Sequence, residues 1–397
     1  MKKIIFIILD GLGDRPILSL NNQTPLESAK TPNLDKLAKE GVCGIIQVLK
    51  PGVIPHSDDA HLTLFGYDLK REYPGRGPIE AAGIGLKLKQ GDVALRSNLE
   101  TVDENLTVID RRAGRIESTK PFTEKFDGIK INNVKFIVKP GTGYRAIIVL
   151  RGKNLSDKIT DSDPKKVGKK INTIKPSDSS KEAKFTAAVL NKFILKTNEV
   201  LKNDPLNKER IKKGLFPGNI FLTRGAGYVK KQTTFKERYG LKACCIAGAG
   251  LYKGLGAVLG MDVLKVKGAT GLPNTNVKAK FNAAINALKK YDFVFVHVKP
   301  TDSLGEDGNV NGKKAFIEKI DEATKLLLNR KELIVITADH STPCECKTHS
   351  SDPVPLLIHG ENIKPDIVIK FSEKECSSGS LGLVKGKDLM KKIMNLV

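Results

Sequence analysis

The sequence has no apolar run long enough to cross a membrane. Its most apolar stretch near the start, Ile4 to Leu9, falls far short of the roughly 20 residues a bilayer needs and is closed at once by Asp10. It is also too short for the apolar part of a secretory leader, so a cytoplasmic protein without a membrane partner is the expectation. Paired C-x-x-C spacings of a structural zinc site are missing as well: the six cysteines stand at 43, 244, 245, 344, 346 and 376. Free thiols are expected, and Cys344-Glu345-Cys346 reads as packing. Acidic residues are in short supply, 44 against 67 lysines and arginines, for a formal net charge of +23. That excess would suit a nucleic-acid backbone if it were clustered. The lysines are instead spread as singles and pairs, with no zinc-finger, RNP-type or basic-zipper pattern, so no specific nucleic-acid partner is expected. An anionic small molecule needs only a few of these charges.

What is present is a chain of 397 residues, 40% hydrophobic, enough for one large α/β unit or two domains. Three runs read as buried parallel strands: Lys3 to Leu9, Asp292 to Val298 and Leu333 to Thr337. Each leads into an aspartate, Asp10, Asp302 and Asp339 respectively. Ligands of open α/β sheets bind beyond the carboxyl ends of the strands, so the three carboxylates are expected to converge there.

Helical segments alternate with these strands. "TPLESAK" offers Thr24 as N-cap, Pro25 at the first helical position and Glu27 to complete a capping box. "TPNLDKLAKEG" repeats the device with Thr31, Pro32 and a closing Gly41. Phe185, Val189 and Phe193 mark the packed face of a helix from about Glu182 to Leu201. From about Asp92 to Asp163 the texture changes to short β-rich runs with turns, including two antiparallel strands around Pro140-Gly141-Thr142-Gly143. The expected fold is α/β, a mostly parallel sheet flanked by helices, with a smaller inserted α+β domain. The domain division is placed at 1–88 with 176–397, interrupted by 89–175.

The chemistry concentrates in a few stretches. In "TADHSTPCECKTHSSDP" a buried strand ends in Asp339-His340, and His349 follows on the next loop. Carboxylate oxygen and imidazole nitrogen suit Mn, Zn or related divalent ions, and ligands on several strand ends form a rigid cage. "PHSDDAHLTLFGYD" places Ser57 just ahead of a helical segment, where unpaired N–H groups favour a negative oxygen. A serine hydroxyl is a weak nucleophile, and metal coordination is one way to activate it. Of the remaining histidines, His56 and His61 flank Ser57, His297 lies in an apolar strand and reads as core, and His359 has no assigned role.

"ILDGLGD", "TPLESAKTPNLDKLAKEG", "HSDDAHLTLFGYD", "GRGPIEAAGIGL", "LTRGAG", "GATG", "KPTD" and "ADHSTPCECKTHSSDPVPLLI" occur in this order along essentially the whole chain. In them the chain resembles the archaeal-type 2,3-bisphosphoglycerate-independent phosphoglycerate mutases of the alkaline phosphatase superfamily. The resemblance implies an alkaline-phosphatase-like sheet and two divalent ions (Mn, Co, Zn or Mg), with no bisphosphoglycerate. One ion would be held by Asp302, Glu306 and His349, the other by Asp10, Asp339, His340 and Ser57. Ser57 would take the phosphoryl group of phosphoglycerate and return it to the other hydroxyl of the retained glycerate. Arginine forks suit carboxylate and phosphate, which makes Arg96, Arg112 and Arg115 the leading substrate contacts, followed by Arg151, Arg224 and Lys253. The insert would close over the site and exclude water.

Two positions depart from the family pattern. Glu306 stands where Asp-x-x-x-His has its histidine, adding negative charge and favouring harder ions. His56 replaces the glycine that usually precedes the nucleophile and brings a side chain to the phosphate approach. A metal-dependent phosphomonoesterase on the same scaffold and a non-catalytic relative both remain open, as does self-association into a homo-oligomer.

Overall fold

The three apolar runs lie side by side, as their composition requires of strands buried on both faces. The computed structural model describes residues 3–229 and 232–396. The chain divides into two compact units, one of residues 1–73 with 233–397 and the other of residues 74–232.

The first unit is built on an eight-stranded sheet with the order Asp262–Val263, Ala243–Ile246, Phe293–Val298, Ile4–Leu9, Leu333–Thr337, Val354–His359, Val42–Gln47, Gly382–Lys385. Ile4–Leu9 is central and fully buried, and it pairs in parallel with both neighbours, Leu9 opposite Val298 and Ile8 opposite Thr337. This register brings the segments that follow the three strands to one end of the sheet. Only Val354–His359 runs against its neighbours, so among the described residues the sheet is mostly parallel, as expected. Aromatic side chains pack on the strand Phe293–Val298: Phe65 meets Phe295 edge-on at 5.0 Å between centroids, and Phe235 meets Phe293 at 4.5 Å. Such pairs add about 0.5–1.5 kcal/mol beyond their buried area and fix the Ser57–Leu64 helix against the sheet. Among the described residues no helix is long and apolar enough to cross a membrane.

Thr24 forms the expected capping box with Glu27 over helix Pro25–Ser28. Thr31 does not cap helix Pro32–Lys39 with its side chain; its hydroxyl turns to Asp35 instead. The free N–H groups of Asn33 and Leu34 are taken by Asp321 Oδ1 at 2.9 and 2.7 Å. A carboxylate from a distant helix supplies the cap, which local spacing cannot reveal.

The second unit contains a six-stranded antiparallel sheet in which Val93–Val102 is flanked by Arg145–Arg151 and Ile220–Tyr228. The strands expected around Pro140 are Val134–Pro140 and Arg145–Arg151, paired antiparallel. Helix Lys181–Leu201 buries Val189 and Phe193, with Phe193 stacked on Phe136 at 4.2 Å. The insert is therefore wider than the expected 89–175. Its sheet needs Ile220–Tyr228 as a partner for Val93–Val102, and helix Arg76–Gly83 packs on the same strands.

Candidate metal centre

Three buried ligand atoms face one another without a hydrogen-bond partner among the described residues. His340 Nε2 lies 3.4 Å from Asp10 Oδ1 and 3.3 Å from Asp339 Oδ2, and all three atoms are unpaired. All three residues are 0% exposed. Unpaired buried polar atoms cost on the order of 1–3 kcal/mol each, so three of them facing one another fit the ligand set of a cation.

Local hydrogen bonds set this arrangement. Gly11 donates its N–H to Asp339 Oδ1 at 3.1 Å, leaving Oδ2 for the cluster. Gly11 has φ +61°, and a Cβ there would come within 2.7 Å of the Asp302 backbone, so glycine allows the loops after two strands to touch. Thr342 Oγ1 donates to Asp302 Oδ1 at 2.8 Å and lies 3.1 Å from His340 Nδ1. With the hydroxyl proton committed to Asp302, His340 Nδ1 is the donor and Nε2 is bare. His349 Nδ1 lies 3.0 Å from the Pro55 carbonyl, which can only accept, so Nδ1 is the donor and Nε2 is the nitrogen turned to the cluster. That atom stands 3.3 Å from Asp302 Oδ1. Partners on the far side of each ligand are how metal-binding histidines and carboxylates are held in orientation.

Two donor groups emerge, Asp10 with Asp339 and His340, and Asp302 with His340 and His349, each with its ligand atoms within 4.8 Å of one another. His340 belongs to both, where the sequence reading placed it with Asp10 and Asp339 alone. Glu306 is at the rim: its side chain is 52% exposed and Oε1 lies 3.8 Å from His349 Nε2. The donors are oxygen and nitrogen only, a set that fits Mn, Co, Zn or Mg.

The electrostatics point the same way. Burial opposes ionisation of Asp10, but the Lys299 ammonium and contacts from His297 and His340 hold its carboxyl well below the usual range. Asp339 is pushed well above that range by burial and by the charges of Asp10 and Asp302. Two facing carboxylates cannot both ionise without a cation, and a divalent ion removes the conflict.

Ser57 is 7% exposed and opens helix Ser57–Leu64, with His56 at the N-cap. Its carbonyl accepts from His61 Nδ1 at 2.6 Å, and burial pulls the His61 pKa down to about 3. His61 is thus neutral, with Nε2 bare and unpaired. The Tyr252 hydroxyl donates to Asp10 Oδ2 and also meets the Ser57 side chain. The Tyr252 ring stacks on His297 at 3.3 Å. His297 is buried, as expected of a core residue, but its Nε2 lies 3.2 Å from Asp10 Oδ2. Sequence reasoning missed Tyr252 and Lys299; the latter stands three positions before Asp302 inside "KPTD", a signal that was on view.

The candidate substrate contacts of the second unit separate by environment. Arg96 and Arg224 occupy facing positions on paired strands and are half-buried. Burial lowers the Arg96 pKa to about 10; the nearby Glu80 partly offsets this, while Arg224, Arg76 and Arg145 add to it. Such crowding of positive charge invites an anion. Arg76, 3.0 Å from Glu80, was not singled out from the sequence. Arg112 and Arg115 are exposed, Arg115 in a turn with φ 58° and Arg112 with its guanidinium 5.7 Å from the Tyr144 ring centroid. Arg151 is engaged within its own unit: Nε and Nη2, one edge of its guanidinium, donate to Asp92 at 2.9 and 2.6 Å. In the first unit, Lys253 is half-buried on helix Gly250–Val258, next to Tyr252.

Comparison with known proteins agrees with this chemistry. The profile of the metalloenzyme superfamily matches residues 2–396. The chain is 48% identical over 400 residues to 2,3-bisphosphoglycerate-independent phosphoglycerate mutase 1 of Methanocaldococcus jannaschii, covering 99% of this chain and 97% of that one. Identity to the Archaeoglobus fulgidus mutase of the same name is 48% over 402 residues, with 99% and 98% covered. Among solved structures, the cofactor-independent phosphoglycerate mutase of Thermoplasma acidophilum superimposes with a TM-score of 0.76 at 36% identity over 100% of both chains. A Pyrococcus horikoshii protein superimposes with a TM-score of 0.85 at 37% identity, covering 100% of this chain and 97% of that one.

Proposed function

We propose that this chain, which belongs to the 2,3-bisphosphoglycerate-independent phosphoglycerate mutases of the metalloenzyme superfamily, interconverts 2-phosphoglycerate and 3-phosphoglycerate without bisphosphoglycerate. The observation that carries the reading is the trio of unpaired atoms on Asp10, Asp339 and His340 beside Ser57. Asp10, Asp339, His340 and Ser57 would hold one ion and Asp302, Glu306 and His349 the other, with His340 within reach of both sets. Two divalent ions at these positions supply positive charge to phosphoryl oxygens and favour the ionised serine.

The chain's own residues then have defined tasks. Ser57 Oγ forms a bond to phosphorus as the bond from phosphorus to one glycerate hydroxyl oxygen breaks. The glycerate stays bound, and its other hydroxyl takes the phosphoryl group back from Ser57. Tyr252 and His61 fix the serine by its side chain and its carbonyl respectively. Arg96 and Arg224, followed by Arg112, Arg115 and Lys253, are the groups assigned to substrate oxygens.

The test is to strip the protein of metal, reload it separately with Mn, Co, Zn and Mg, and supply 3-phosphoglycerate alone. Formation of 2-phosphoglycerate, abolished in Ser57→Ala, supports the mutase. Release of inorganic phosphate alone would make the protein a hydrolase, and neither product with any ion would make it a non-catalytic relative.

A further inference from the structure

We propose that Lys299 is a further catalytic residue, an ammonium that spans the two donor groups and presents its remaining N–H to the transferred phosphoryl group. The inference rests on the mutase reading for its catalytic half and on geometry alone for its effect on metal binding. Lys299 Nζ lies 2.7 Å from Asp302 Oδ2 and 3.4 Å from Asp10 Oδ2. Asp302 belongs to one donor group and Asp10 to the other, so a single side chain ties the two together.

The choice of oxygens matters. Lys299 takes Oδ2 of each carboxylate, while Oδ1 of Asp10 faces His340 Nε2 and Oδ1 of Asp302 faces His349 Nε2. Lysine and cations therefore use opposite edges of the same two carboxylates and can be present together. An ammonium has three donors. Two are accounted for by Asp10 and Asp302, which leaves one for a ligand on a side chain that is 25% exposed.

Charge gives the residue its purpose. The carboxylates of Asp10, Asp302, Asp339 and Glu306 would be balanced by two divalent ions, leaving no positive charge over for the ionised Ser57 or a strongly anionic group. Lys299 supplies the surplus positive charge, and its charge offsets the one that Glu306 adds. Placed among ligands, the same charge repels incoming cations, so Lys299 favours phosphoryl binding at some cost to metal binding.

That opposition makes the proposal testable, because a merely structural lysine would support both. Lys299→Met and Lys299→Gln are compared with wild type by calorimetry, first for Mn²⁺ binding to the stripped protein and then for inorganic phosphate binding to the Mn-loaded protein. Turnover and KM for 3-phosphoglycerate are measured alongside. Expected are Mn²⁺ binding tighter by about threefold or more, phosphate binding weaker by about tenfold, the loss of one charge-assisted hydrogen bond, and a fall in kcat of at least that size. Lys299→Arg keeps the charge and is expected to recover part of kcat. Weaker Mn²⁺ binding in both neutral variants would make Lys299 a structural prop and overturn the proposal. Unchanged phosphate binding and kcat would overturn it equally. If wild type makes no 2-phosphoglycerate, the mutase reading fails, while the Mn²⁺ and phosphate measurements still decide whether Lys299 faces bound phosphate.

Discussion

His340 Nε2 stands 3.4 Å from Asp10 Oδ1, two buried ligand atoms at the ends of neighbouring strand connections with no hydrogen bond between them. His340 also lies within reach of the Asp302 and His349 group, so its one bare nitrogen sits between the two sets of donors.

His340→Ala is therefore expected to abolish tight binding of the ion held with Asp10 and Asp339 and to weaken its neighbour, whereas His349→Ala removes only the ion held with Asp302. Metal content after dialysis against a weak chelator reads the difference. Ion binding to the folded state alone stabilises by about 2.7 kcal/mol at a hundredfold excess over Kd. Wild type should accordingly melt at higher temperature as Mn²⁺ is raised, and His340→Ala should respond less.

Among the arginines of the second unit, Arg96 and Arg224 are the proposed substrate contacts and Arg151 is held by Asp92. Arg96→Met and Arg224→Met are expected to raise KM for phosphoglycerate by about tenfold or more, as loss of a charge-assisted contact costs roughly 1.5–3 kcal/mol. Arg151→Met removes both bonds to Asp92, whose side chain is 2% exposed. It is expected to lower stability by a similar amount in a denaturant titration while leaving KM unchanged.

Much of this was legible in the sequence because it depends on local pattern. Apolar runs gave the three central strands, and the aspartates after them gave the carboxylates of the cage. Sharing of His340 was not legible, since it follows from the register of Ile4–Leu9 with Leu333–Thr337 and from the Thr342 hydroxyl. Nor was the cap on helix Pro32–Lys39, supplied by Asp321 from far along the chain. The insert was drawn too short because Ile220–Tyr228 joins its sheet after a long helix, and strand pairing across such a distance leaves no local mark. Nor was the engagement of Arg151 legible, because nothing nearby in sequence announces Asp92 as its partner.

Glu100 gives a pH prediction away from the metal groups. Burial, together with the charge of Asp163, raises its pKa to about 8, and its Oε2 has no hydrogen-bond partner among the described residues. A carboxyl with a raised folded-state pKa binds a proton more tightly when folded. Its stabilising contribution is complete below the unfolded value of about 4.5 and is lost as pH rises to about 8. Glu100→Gln removes that loss, so the variant should gain stability over wild type as pH increases through this window. Melting temperatures measured from pH 5 to about 9 test it, and parallel profiles for the two proteins would contradict it.

As a proposed ligand, Glu306 is expected to bias which ion the Asp302 and His349 group prefers. Its Oε1 lies 3.8 Å from His349 Nε2, and its side chain is 52% exposed, so it can close on an ion without the cost of a buried charge. Burial and repulsion from Asp302 raise its pKa, and a cation bound between the carboxylates reverses that repulsion. A carboxylate oxygen is a harder ligand than an imidazole nitrogen, which favours Mn or Mg over Zn or Co at this position. Glu306→His is expected to shift the competition between Mn and Zn toward Zn by about tenfold, a ratio set by ligand type. The shift is measured by loading the stripped protein from a mixture of the two ions and counting each. If the ratio does not move, Glu306 lies outside the ligand set and its charge acts only at the rim. If it moves as expected, the substitution has changed the preferred metal while leaving the other group, and the nucleophile it serves, as they were.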